Sequence, residues 1–116
     1  MDYPDDYQVE FIAKGESRFN PDAYLANIWD YDERWTVQWY EDGILKGTPE
    51  RVQDVSPTYI RQIEEKFGDK PIPKYKQPRK NIHYFAVTPS EGAARVLITV
   101  TGPYGQSWSH EFEIKQ

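Results

Sequence analysis

Apolar and polar residues alternate with a period of two along most of this chain, the spacing of half-buried β-strands. In Tyr7 to Ala13, Val9, Phe11 and Ala13 fall on one side, and Gln8, Glu10 and Ile12 on the other. Tyr24 to Trp29 is apolar and strand-length, preceded by the turn signal Asn20-Pro21-Asp22. The clearest alternation is Trp35 to Glu41, where Trp35, Val37 and Trp39 oppose Thr36, Gln38 and Tyr40. Asp42-Gly43 follows, and Ile44 to Gly47 resumes the pattern. Both turn residues tolerate positive φ, so the segment predicts a β-hairpin. Three further strands are predicted over His83 to Thr88, Arg95 to Thr101 and Ser107 to Ile114. Gly102-Pro103-Tyr104-Gly105 supplies a tight turn between the last two.

One segment breaks the period. Tyr59, Ile60, Ile63 and Phe67 follow helical spacing, Ser56 suits an N-cap, Pro57 the first helical position and Gly68 the stop. A helix over about 57–67 is the expectation, too short to stand without docking. Asp69 to Lys80 then reads as a loop, because Pro71, Pro73 and Pro78 forbid regular pairing. About seven strands at short spacing plus one helix predict a mainly β fold, an immunoglobulin-like or fibronectin-like β-sandwich. The 116 residues suit a single domain, with no internal repeat or linker.

Composition narrows the function. Aromatics make up 16% of the chain, which favours strands and a well-filled interior. A net charge of −5 argues against nucleic acid as the main partner. No apolar run approaches a membrane span. Without cysteine, thiol catalysis and zinc-thiolate sites are excluded. Only His83 and His110 are available as imidazoles, and both sit in strand patterns; His110 shares the Trp108 and Phe112 side, a partly buried position near a sheet edge. No catalytic, cofactor or metal residue is therefore assigned. Asp30, Asp32 and Glu33 lack the length and glycine of a calcium loop and read as a turn held by Asx-type bonds.

The candidate interaction surface has two parts. Lys74, Tyr75, Lys76, Arg79 and Lys80 lie in the most basic stretch, which suits an anionic partner. Tyr31 and Tyr104 sit in turns and are the aromatics best placed to stack on a glycan, whereas Trp35 and Trp39 are assigned to the core.

The stretch Ala26-Asn27-Ile28-Trp29-Asp30-Tyr31-Asp32-Glu33-Arg34-Trp35-Thr36-Val37-Gln38-Trp39-Tyr40-Glu41-Asp42-Gly43 resembles the C-terminal domain of bacterial, Bacteroidetes-type calcineurin-like phosphoesterases. His83-Tyr84-Phe85-Ala86 and Thr99-Val100-Thr101-Gly102-Pro103-Tyr104-Gly105 are similar to later segments of that domain; Gly102-Pro103-Tyr104 stands where an Asp-Arg-Phe is usual. The resemblance covers almost the whole chain. It implies a parent with a catalytic metallophosphoesterase domain ahead of this one, and a non-catalytic accessory role for these residues beside it. It also implies an exported parent, periplasmic or extracellular, whose signal lies upstream, since Met1-Asp2-Tyr3-Pro4-Asp5-Asp6 is no signal peptide. The alternative from the residues alone is a free-standing immunoglobulin-like module binding a glycan or cell-envelope ligand; open sheet edges also allow self-association.

Overall fold

The computed structural model describes residues 8–29, 31–71 and 81–114. Eight strands form two antiparallel four-stranded sheets. In chain order they are β1 (Val9–Ile12), β2 (Tyr24–Ile28), β3 (Thr36–Glu41), β4 (Ile44–Gly47), β5 (Glu50–Asp54), β6 (Asn81–Val87), β7 (Arg95–Thr101) and β8 (Ser107–Glu113), with helix α1 (Pro57–Phe67) between β5 and β6. The first sheet has the order β1-β2-β6-β5 and the second β4-β3-β7-β8. The mainly β sandwich expected from the alternation is what forms. Its eighth strand, β5, was not expected: Val52 is the one apolar residue in Glu50-Arg51-Val52-Gln53-Asp54. An edge strand with one partner can be this polar, because the burial is done by the strand beside it.

Alternation decides what meets in the middle. Val9, Tyr24, Ala26, Ile28, Phe85 and Val87 from the first sheet pack against Trp35, Val37, Val96, Ile98, Val100 and Phe112 from the second. Burying such a side chain contributes about 1.5–3 kcal/mol each. Phe11 and Ala13 pack onto this cluster while Ile12 turns away from it, as their spacing requires.

The two outer faces differ. On the first sheet, Ile12, Leu25, Tyr84 and Ala86 form a second buried cluster with Ala23. Strands β2 and β6 are therefore buried on both faces, which explains their nearly unbroken apolar runs. On the second sheet, Thr36, Arg95, Thr101, Ser107, Ser109, Glu111 and Glu113 are exposed. His110 is also exposed rather than partly buried, because β8 is a sheet edge; its ring still stacks on Phe11 at 5.5 Å.

Local chemistry places the connections. Asp42 (φ 49°) and Gly43 (φ 84°) give the β3–β4 turn its left-handed backbone. The Asp42 carboxyl also accepts from the backbone N–H groups of Ala94 (3.0 Å) and Arg95 (2.8 Å), tying this hairpin to the β6–β7 connection. Asp42→Ala should lower the unfolding free energy by about 2 kcal/mol, combining lost bonds with a strained φ. Asp42→Asn should cost less, since asparagine keeps an acceptor and tolerates that backbone. Urea unfolding of both variants measures the difference.

Helix α1 starts as its sequence requires. Ser56 Oγ accepts from the Tyr59 N–H at 3.1 Å, and the Gly68 N–H donates to the Glu64 carbonyl at 2.8 Å. Ser56 Oγ also donates to Glu10 Oε2 at 3.2 Å, and Asn27 Nδ2 donates to Glu10 Oε1 at 3.3 Å. The cap thus anchors the helix N-terminus to the outer face of the first sheet, with Ile63 the buried residue of its apolar stripe.

A buried polar cluster fixes the β1–β2 connection. Asp54, fully buried at the end of β5, accepts from Ser17 Oγ, from Asn20 Nδ2 at 2.7 Å and from the Val55 N–H at 2.8 Å. Asn20 Nδ2 also donates to the Gln53 carbonyl at 2.9 Å, and the Asn20 N–H donates to Ser17 Oγ at 3.0 Å. A turn that would otherwise wave in solvent is thereby joined to a sheet edge.

Candidate functional site

The β2–β3 loop, the β7–β8 turn and the residue preceding β1 meet at one end of the sandwich. Antiparallel pairing brings them together: Val9 opposes Ile28, Thr36 opposes Thr101, and Thr101 opposes Ser107. Between them lies a cleft of about 220 Å³ lined by Gln8, Asp32, Arg34, Trp35, Pro103, Tyr104 and Gln106.

Its floor is core. Trp35 is buried and stacks on Trp108, ring centroids 5.6 Å apart and planes 24° from parallel. The turn above this pair needs Gly102, where a Cβ would stand 3.3 Å from the Trp35 ring and 3.1 Å from the Gln106 side chain. The turn is closed by Gly102 N–H donating to the Gln106 carbonyl at 2.7 Å, and Gly105 takes φ 85°.

Its wall is an ion pair made within three residues. Asp32 Oδ1 accepts from the Arg34 N–H at 2.8 Å, the Asx-type bond expected of this turn. The same carboxylate then takes Arg34 Nη2 at 2.7 Å and Nε at 3.2 Å. The Arg34 guanidinium lies 5.7 Å from the centroid of the Tyr104 ring, within cation–π range. Hydrogen bonds from the Arg34 side chain hold the Asp32 carboxyl below its ordinary value, and Asp32 in turn pushes Arg34 further up. Both are exposed, so solvent screening keeps the pair's contribution to stability small.

A carboxyl depressed by folding stabilises above its unfolded pKa and loses that contribution as pH falls through its folded pKa. The Asp32 side-chain carbon, followed by NMR, should therefore titrate below the ordinary 3.8. Arg34→Met should return it to the ordinary carboxylate range; a titration unchanged by that substitution would contradict the fork.

The structure separates the two tyrosines singled out by the sequence. Tyr104 stands at the cleft mouth, 78% exposed. Tyr31 turns inward instead: it packs on the interior cluster, meets Phe85 edge-on at 5.0 Å and lies beneath the Arg51 guanidinium at 4.5 Å. Its aromatic body covers the sandwich edge and is half-buried, so it offers less free ring surface than Tyr104. Lys74, Tyr75, Lys76, Arg79 and Lys80 lie outside the described residues. Arg34, Gln8 and Gln106 were missed by sequence reasoning; the one local signal was an aspartate two residues before an arginine in an Asx-prone turn.

Most of the aromatic excess is interior. Trp39 and Trp108 pack against the core alongside Trp35, Tyr24 and Phe112, and among the described residues the exposed Phe, Trp and Tyr rings are Phe19, Trp29 and Tyr104. His83 lies near Tyr31 at the start of β6, and His110 lies against Phe11 and Phe112 on the other sheet. Among the described residues, no three His, Asp or Glu side chains gather as metal ligands. No described helix is long and apolar enough to cross a membrane.

Fold and cleft together describe a small antiparallel β-sandwich domain with a loop-end recess. The sequence matches the family described as C terminal of Calcineurin-like phosphoesterase over residues 1–108, and the chain belongs to that family. Neither the curated proteins nor the solved structures contain a match to it.

Proposed function

We propose that this chain is a non-catalytic accessory domain of an exported calcineurin-like metallophosphoesterase, packed on or bordering the catalytic domain of the same polypeptide. The observation that carries the reading is the family match over residues 1–108. The two-metal chemistry of such enzymes needs carboxylate and imidazole ligands converging on a pair of ions. The described residues do not fit that centre, because His83 and His110 belong to different sheets and each meets aromatic rings. The ligands, and with them the hydrolytic step, are assigned to the catalytic domain.

The strand order supports an immunoglobulin-like layout, with β1-β2-β6-β5 corresponding to the ABED sheet and β3-β7-β8 to CFG, extended by β4. That extension carries the surface assigned to interdomain contact. Ile44 (67% exposed) and Leu45 (51% exposed) lie on the short edge strand β4, exposed apolar side chains of the kind that partners cover.

Hydrogen exchange tests the arrangement. In the full-length enzyme, backbone amides of the β3–β4 hairpin should exchange more slowly than in this chain by itself, and Leu45→Glu should abolish the difference. Equal exchange everywhere in the two proteins would reject packing against the catalytic domain.

A further inference from the structure

The most exposed aromatic side chain at this end of the sandwich is Tyr104, whose tie to the cleft wall is the Arg34 guanidinium. Tyr104 is 78% exposed, yet it is held on a turn stiffened by Pro103 and closed by the Gly102–Gln106 backbone bond. A ring placed there adds almost nothing to the interior. Its position is fixed relative to the Asp32–Arg34 fork, and the cleft between them rests on the rigid Trp35–Trp108 stack. Such a recess needs little ordering when a ligand arrives.

The chemistry of the walls selects the ligand. Arg34 already has its charge answered by Asp32, and Asp32 by Arg34. An anion would have to displace the carboxylate, and a cation the guanidinium, so neither gains a net electrostatic advantage. Glu33 beside them further disfavours an anion. A hydroxyl group is both donor and acceptor, and adjacent hydroxyls can donate to Asp32 while accepting from Arg34 without separating the pair. Gln8 and Gln106 offer amides of the same dual character on the other walls. An aromatic face beside these groups suits a flat patch of C–H bonds. About 220 Å³ is below the roughly 300–1,000 Å³ of sites that enclose drug-sized ligands, which suits one ring with the rest of the ligand in solvent.

We propose that this cleft binds one neutral pyranose ring of a glycan, with its C–H face on Tyr104 and its hydroxyls on the Asp32–Arg34 pair and on Gln8 and Gln106. The site takes part in recognition rather than hydrolysis, and it does not depend on how the domain meets a catalytic partner. Trp29 (41% exposed) neighbours Gln8 on the adjacent strand end, its backbone N–H donating to the Gln8 carbonyl at 3.2 Å.

The test is an amide and side-chain NMR titration of the 116-residue chain with four methyl glycosides: β-glucoside, α-mannoside, β-galactoside and N-acetyl-β-glucosaminide. Inorganic phosphate is the charged comparison. At least one glycoside should shift the Gln8, Arg34, Tyr104 and Gln106 signals saturably, with a dissociation constant on the order of 1 mM. Tyr104→Ala, which alters an exposed side chain and leaves the sheets intact, should weaken that binding about five- to tenfold. The proposal fails if none of the four glycosides moves these signals, or if Tyr104→Ala binds as well as the parent chain. It fails equally if phosphate moves the same signals at lower concentration than any glycoside.

Discussion

Replacing Asp54 with alanine should cost about 3–5 kcal/mol of unfolding free energy. Three donors converge on this carboxyl, from Ser17, Asn20 and the Val55 backbone, at a position with no solvent exposure. Removing the acceptor leaves buried and part-buried donors without a partner, at about 1–3 kcal/mol each. Against the roughly 10 kcal/mol expected for a domain of this size, that is a large fraction. The loss should show as a lower urea midpoint, with early hydrogen exchange confined first to the β1–β2 connection. Asp54→Asn should recover part of the stability, because its amide oxygen still accepts. An alanine variant as stable as the parent would mean that the Ser17 and Asn20 turn does not rest on Asp54.

Trp35→Ala is expected to be comparably severe, about 3–5 kcal/mol, for a different reason. Trp35 is a large buried side chain that closes one end of the interior against Trp108, and its removal leaves a cavity under the Gly102 turn. Trp35→Phe should cost roughly half as much by keeping an aromatic surface in place. A second readout separates loss of the stack from general loosening. Two indoles 5.6 Å apart couple their excited states, so the circular dichroism of the folded chain should carry an exciton couplet. The couplet should vanish in Trp35→Phe and in Trp108→Phe even where both remain folded.

These two positions also show what the sequence could and could not reveal. Trp35 was legible as core because it shares the Val37 and Trp39 side of a clean alternation. Asp42-Gly43 was legible because few residue pairs accept that backbone, and Ser56-Pro57 with Gly68 marked both ends of the helix for local stereochemical reasons. Asp54 was not legible. It ends a polar edge strand, and its partners lie in a distant turn that only the sheet order brings near.

The recess at the loop end was half legible. Tyr104 could be placed on the surface because a Gly-Pro-Tyr-Gly turn gives its ring nowhere to bury. Tyr31 looked equivalent in sequence, yet the open edge beside Phe85 and Arg51 draws it inward, and nothing local announces that edge. Arg34 likewise read as one charged loop residue. It acquires a role through Asp32 two residues before it and through Tyr104 on another hairpin.

The central claim is that this chain is a β-sandwich companion to a phosphoesterase whose reaction is carried out elsewhere in the polypeptide. Its most direct test is a hydrolysis assay of the purified chain on p-nitrophenyl phosphate and bis-p-nitrophenyl phosphate, with manganese, zinc or magnesium supplied. The account predicts no turnover above the metal-only background with any of the three. Turnover that follows the protein through purification and disappears on chelation would contradict it.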